Sequence, residues 1–419
     1  MYPRRILMVA FHYPPCTGGS GIHRTLKFSR YLPSLGWDPA MLSAHPRAFA
    51  QTGQERLGEI PASVPVMRAF ALDTGRHLSI KGRHLRWLGL PDRWATWWIG
   101  AVPCGLSMVR RHRPDALWST YPIATAHLIG LTLHRFTGIP WVADFRDSMT
   151  EDGYPREPWM RRTYLWIERQ TVRHAARLIF TTGSTRAMYL QRYPNLSPAR
   201  CLVIQNGFDE EDFAQVRLSP VTPLPTTKPL RLVHAGVIYP DDRDPLPFFR
   251  ALSKLKKERA VSAKSLRIDL RATGSEEYYQ RALTELGIED VISLLPGIPY
   301  AQALQECADA DGLLLLQAAS CNHQIPAKAY EYLRLGKPIL ALTPEKGDTA
   351  KLLLNAGGTT IADLASTEDL YRTVPRFLSA VRAGTHPVAD PLHVRRYSRE
   401  CQAQELAQCL TQLVRPGRE

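Results

Sequence analysis

The sequence has no C-x-x-C pair, no run of about 20 apolar residues that a bilayer crossing would need, and no tryptophan after Trp166. The seven cysteines, at 16, 104, 201, 307, 321, 401 and 409, are odd in number. That argues against a disulfide framework or structural zinc and fits a reducing cytosol. The most apolar stretch, Trp97 to Val109, is short and interrupted by Pro103. The chain therefore reads as soluble or peripheral. Arg4 and Arg5 precede Ile6 to Phe11, a run too short for a signal-peptide core and better suited to a first strand. There is no G-x-G-x-x-G, and no Lys-Ser/Thr follows the early glycines, which argues against a classical dinucleotide or NTPase loop. Repeats and low-complexity segments are absent too. Acid is scarce: 39 Asp and Glu stand against 53 Lys and Arg, for a net charge of +14. Such an excess suits a polyanion, whether nucleic acid, anionic lipid or a phosphorylated substrate, or else a plain solvated basic surface.

What is present is ample for folding. A chain of 419 residues, 44% hydrophobic, fits two or three α/β domains. Residues 5–10 (RILMVA) read as a buried strand, followed by a Pro/Gly loop, a helix from Ile22 to Leu35 and a strand from Pro39 to Leu42. This order begins a βαβ unit with a parallel sheet. Strands at 116–119, 141–143, 177–181 and 201–204 continue it. The proline-rich stretch 219–229 (SPVTPLPTTKP) is expected to be the linker, giving domains 1–218 and 230–392. The second domain opens with strand 230–234, helix 245–256 and strand 266–272. It continues with buried strands at 311–317 and 338–342. Residues 393–419 are expected to form a helix packing back toward the first domain.

Three constellations stand at strand ends, where open parallel sheets bind ligands. Gly18-Gly19-Ser20-Gly21 lies between a strand and a helix, so it is either a tight turn or a place where backbone N–H groups approach an anion. Asp144-Phe145-Arg146-Asp147 closes a strand and is either an ion-pair cluster or a site. In QIPAKAYEYLRLGKPIL, residues 324–340, Pro326 suits a helix start and Gly336 its stop. Lys328 and Glu331 share one face there, as a phosphate-binding lysine and a ribose-binding glutamate would, or as an ordinary helical ion pair. The string Asp309-Ala-Asp311 is a D-x-D but abuts the strand DGLLLLQ, so it is read as the start of that strand and no metal site is expected.

Together YPPCTGGSG, ADFRDSM, VIQNGFDEEDF, LVHAGVIYPDDRDPLPFFRAL and IPAKAYEYLRLGKPIL resemble the family 4 (group 1) retaining glycosyltransferases along nearly the whole chain. The resemblance implies the GT-B fold: two Rossmann-like α/β domains facing each other across a cleft. It implies a hexosyltransferase-type enzyme moving a sugar from a nucleotide-sugar, UDP favoured, to a glycan or polyprenyl-linked acceptor, in lipopolysaccharide or similar polysaccharide synthesis. The alternatives are a GT-B nucleotide-sugar epimerase or an inactive carbohydrate-binding subunit. By the same resemblance Gly18, Gly19 and Gly21 face the donor diphosphate and the acceptor. Arg243 and Lys328 hold the diphosphate, Glu331 binds the ribose, and Gly297 with Ile298 holds the base. The first glutamate of the family's E-x7-E falls at His323, and Asp144 stands where many members carry a histidine that meets sugar or acceptor. No cofactor is implied.

All nine tryptophans lie in the first 166 residues, and Trp87, Trp94, Trp97 and Trp98 share a stretch with Arg76, Lys81, Arg83, Arg86, Arg93, Arg110, Arg111 and Arg113. This basic, Trp-rich segment is expected to meet the inner membrane surface from the cytoplasm. Core tryptophans with solvated arginines are the rival, and nucleic acid is not expected because no nucleic-acid fold signature accompanies it.

Overall fold

The computed structural model describes residues 4–17, 21–79 and 89–414. The chain divides into two units, Met1–Asn206 with Arg399–Glu419, and Gly207–Ser398.

The first unit contains strands β1 (Arg4–Val9), β2 (Trp37–Ala44), β3 (Val66–Ala69), β4 (Ala116–Thr120), β5 (Trp141–Phe145), β6 (Arg177–Phe180) and β7 (Cys201–Val203). Between them lie helices α1 (Gly21–Tyr31), α2 (Thr74–His77), α3 (Thr96–His112), α4 (Ala124–Thr137), α5 (Pro158–His174) and α6 (Gly183–Arg192). The sheet is parallel, in the order β3-β2-β1-β4-β5-β6-β7. Leu7 pairs with Ala40 on one side and Leu117 on the other, so the first strand is central and the order reverses beside it. Strands covered on both faces must be apolar throughout, which is why these runs do not alternate. Trp118, Trp141, Phe145 and Phe180 fill the core. Trp141 donates to Ser119 Oγ at 2.9 Å, and a Cβ at Gly130 would stand 2.7 Å from that indole nitrogen. Only glycine lets α4 lie this close to the sheet.

The second unit has strands β8 (Leu230–Ala235), β9 (Leu266–Arg271), β10 (Ile292–Leu295), β11 (Gly312–Leu316), β12 (Ile339–Leu342) and β13 (Thr359–Ala362). Its helices are α7 (Pro240–Arg243), α8 (Leu246–Lys257), α9 (Glu276–Leu286), α10 (Tyr300–Asp309), α11 (Ala327–Leu335), α12 (Asp348–Ala356), α13 (Thr367–Arg382) and α14 (Pro391–Val394). Its sheet is also parallel, in the order β10-β9-β8-β11-β12-β13. Both units are Rossmann-like α/β layers.

The boundaries differ from those expected. The chain leaves the first unit after Asn206, and Phe208 and Phe213 already belong to a core of the second. The proline stretch is bound to the second unit: Leu224 N–H donates to Arg382 O, and the Arg382 guanidinium donates to Pro225 O and Lys228 O. Proline content signalled extended backbone there, and its carbonyls found donors on α13. The last helix, α15 (Arg399–Leu413), belongs to the first unit, where Ala403, Leu406, Ala407 and Leu410 enter the core beside α1. Truncating a fully buried leucine costs about 2–5 kcal/mol. Leu406→Ala is therefore expected to lower the melting of the first unit while leaving that of the second unchanged, as read by calorimetry of the full chain. A shift confined to the second unit would contradict the assignment.

Candidate functional site

In the second unit, β8 ends at Ala235 and Gly236 turns the chain with φ +114°, a region L side chains rarely enter. A Cβ on Gly236 would stand 3.0 Å from Lys328 Nζ, so the glycine makes room for the lysine. Lys328 lies in the first turn of α11, whose start has no side-chain cap. Its ammonium is 3.0 Å from His234 Nε2, and His234 Nδ1 is 2.8 Å from Leu314 O. The carbonyl can only accept, so Nδ1 carries the proton and Nε2 accepts from the lysine. Burial, then the neighbouring Lys328, holds His234 well below the usual histidine range and keeps it neutral. Burial and the nearby Arg243 guanidinium lower Lys328 to about 7, against the opposing pull of Glu331. Arg243 ends α7, and its Nε has no hydrogen-bond partner among the described residues. The Lys328 ammonium and the Arg243 guanidinium at an uncapped helix start form a field that favours an anion.

Beside them is a cavity of about 260 Å³ lined by Gly236, Arg271, Ala272, Gly297, Ile298, Tyr300, Cys307 and Glu331. Tyr300 Oη–H donates to Glu331 Oε1 at 2.8 Å, orienting the carboxylate at the wall. Arg271 is held by Glu306 and donates to Pro296 O at 2.6 Å. Apolar backbone on one wall with a fixed carboxylate on the other suits a flat ring bearing hydroxyl groups.

In the first unit Gly21 opens α1. A Cβ there would be 3.2 Å from both Arg146 Nη1 and His12 Nδ1. Burial, then Arg146, lowers His12 to about 4. Arg24 is fully enclosed and donates through Nε and Nη2 to both oxygens of Asp144 at 2.9 Å. It donates also to Gln205 O and Ile204 O. Thr120 Oγ1 donates to the same carboxylate at 3.0 Å.

Residues 19–207 match a family profile described as a glycosyl transferase 4-like domain. The chain has the GT-B fold. No curated protein sequence matches it. Its fold is shared with Anabaena HepE solved with UDP and glucose (14% identity, 98% of this chain and 99% of that one, TM-score 0.67). It is shared equally with sucrose-phosphate synthase from Thermosynechococcus elongatus (13%, 98% and 99%, TM-score 0.66). The lipopolysaccharide outer core galactosyltransferase WaaB follows (13%, 97% and 99%, TM-score 0.63), and a UDP-N-acetylglucosamine 2-epimerase is less similar (14%, 100% and 99%, TM-score 0.58).

The fold brings Arg243, Lys328, Glu331, Gly297 and Ile298 to the carboxyl ends of the second sheet. His323 is half-buried in the loop before α11, which Gln317 braces by donating to Cys321 O and Gln324 O. Gly18 and Gly19 lie outside the described residues. Asp144, expected to meet sugar or acceptor, accepts from Arg24 and Thr120 through its carboxylate. Removing it would strand a buried guanidinium, at a cost of about 3–5 kcal/mol. Asp309 and Asp311 of the D-x-D accept from Gln305 Nε2 and Arg231 N–H. The sequence reading missed His234, Gly236, Tyr300 and Arg271. His234-Ala-Gly236 at a strand end was a visible signal for the first two, whereas Tyr300 and Arg271 reach the site only through folding.

An anion bound beside Lys328 favours its charged form and so raises it from about 7. At pH 8, where the unliganded lysine is mostly neutral, binding of inorganic diphosphate is expected to take up a substantial fraction of one proton through this residue. At pH 6 the lysine is already charged and that uptake vanishes. Calorimetry in two buffers of different ionisation enthalpy reads the uptake, which Lys328→Met should remove.

Proposed function

We propose that the transferase takes a sugar from a nucleotide-sugar donor, UDP favoured, and attaches it with retained configuration to a glycan or polyprenyl-linked acceptor. The setting is cell-surface polysaccharide synthesis, of which lipopolysaccharide is one case, at the cytoplasmic face of the inner membrane. The observation that carries the reading is the cavity walled by Glu331 and Gly297–Ile298 next to the Lys328–Arg243 pair. Nucleoside and diphosphate need those two chemistries side by side. The solved complex of HepE with UDP and glucose, on the same fold, supports the nucleotide.

In this reading Glu331 accepts from ribose hydroxyls and the backbone at Gly297 and Ile298 holds the base. The bond between the anomeric carbon and the phosphate oxygen breaks, and its electron pair stays on the leaving diphosphate. Lys328, Arg243 and the start of α11 stabilise that growing charge, which is where fixed donors contribute most. The acceptor hydroxyl forms the new bond on the face the diphosphate leaves, and its proton passes to a diphosphate oxygen. Gly18, Gly19 and Gly21 serve diphosphate and acceptor, and His323 meets the transferred sugar in place of a glutamate. No metal is required, because the two side-chain cations take the role one would have.

Glu331→Ala is expected to weaken UDP binding by about 1.5–3 kcal/mol, the worth of charge-assisted hydrogen bonds, with unchanged melting. Unaltered affinity by calorimetry would remove the ribose role. Release of free UDP from a UDP-sugar should depend on an added acceptor and should survive EDTA. Loss with EDTA that magnesium or manganese restores would overturn the metal-free reading. Acceptor-independent interconversion of the donor sugar would make the protein an epimerase instead.

A further inference from the structure

The stretch that suggested a membrane contact is largely spent inside the fold. Trp97 is fully buried, Trp94 donates to Ala48 O, Arg76 donates to Phe49 O, and Arg93 pairs with Asp73. Lys81, Arg83, Arg86 and Trp87 lie outside the described residues. A different surface of the first unit has the required character. Helices α3, α4 and α5 are neighbours: Trp98 Nε1–H donates to Thr132 Oγ1 across the first seam, and Arg135 meets His174 at 3.3 Å across the second.

Large apolar side chains stand out from this layer. Ile99 is 64% exposed, Phe136 73%, Trp159 59% and Trp166 47%. On α5 the exposed positions 159, 162, 166, 169 and 173 follow helical spacing and read Trp, Arg, Trp, Arg, Arg. Arg110, Arg111 and Arg135 are exposed on the other two helices. The three helices contain one carboxylate, Glu168, and it is fully buried, accepting from Thr150, Tyr189, Arg192 and Tyr193. Nothing acidic on the outer faces of these helices offsets the arginines.

We infer that the outer face of α3–α5 docks onto an anionic lipid bilayer, with Ile99, Phe136, Trp159 and Trp166 entering the interface and the arginines meeting lipid phosphates. This rests on the membrane-side reading above and names the surface that serves it. Aromatic and aliphatic side chains interleaved with cations are what the interfacial region accommodates.

The test is co-sedimentation of the full chain with vesicles of phosphatidylglycerol and phosphatidylcholine, and with phosphatidylcholine alone, at low and moderate salt. The protein should bind the anionic vesicles, more weakly as salt rises. R162E/R169E/R173E should lower the partition roughly hundredfold or more, since each basic contact contributes about fivefold. Trp159→Ala with Trp166→Ala should lower it at both salt levels. All five side chains are exposed, so melting and UDP affinity should not change in either variant. If the wild type binds but the α5 reversal does not matter, this face is wrong while the membrane reading stands. If R83E/R86E carries the whole loss, the contact belongs to residues 80–88 instead. No binding at low salt, or equal binding to neutral vesicles, removes the inference. Tight binding of single-stranded DNA without vesicle binding would assign the face to nucleic acid and overturn it.

Discussion

A guanidinium sealed from water must find acceptors for its N–H groups, and Arg24 finds them in two separate parts of the first unit. It sits in α1, its carboxylate partner Asp144 ends near the carboxyl edge of β5, and its remaining donors reach Ile204 O and Gln205 O. None of these can move without leaving a buried charge unpaired, so the pair fixes where the first helix starts relative to the sheet. Gly21 and Arg146 are placed by that constraint. So is the chain where it leaves the unit, since Asn206 meets Arg399 where the chain returns.

The second unit is organised around the opposite condition. Lys328 rests on a neutral histidine instead of a carboxylate, and an unmatched guanidinium nitrogen lies close by. A structure that neutralised these groups internally would be more stable and would have nothing left for a phosphate. Leu314 O, a backbone acceptor in a central strand, fixes which His234 nitrogen carries the proton, so the sheet itself sets which nitrogen faces Lys328.

Much of this was legible in the sequence because parallel strands announce themselves. Runs such as GLLLL, with Pro and Gly at their ends, leave little choice of element or of which end carries ligands. The Lys328–Glu331 spacing was equally readable, since helix periodicity fixes which side chains share a face. What sequence could not convey was how polar groups are consumed. Asp144 has the composition of an active-site carboxylate, and only the folded chain reveals that Arg24, 120 residues away, takes both its oxygens. The tryptophans illustrate the same limit. Trp118 and Trp141 are core, Trp159 and Trp166 are surface, and helix phase together with neighbouring layers separates them. The proline-rich stretch misled because proline reports backbone shape and says nothing about which unit supplies the donors for its carbonyls.

The second unit is inserted into the first, since residues 399–413 return to complete the earlier core. During synthesis the first unit therefore waits. Its sheet is made within the first 206 residues, yet the helix that covers Leu26 and its neighbours emerges from the ribosome only after the whole second unit. Until then an apolar strip beside α1 stays open to water or to a chaperone. The two units cannot mature strictly in order of translation: the one begun first is finished second, and loss of residues 399–413 would be felt in a core built about 200 residues earlier.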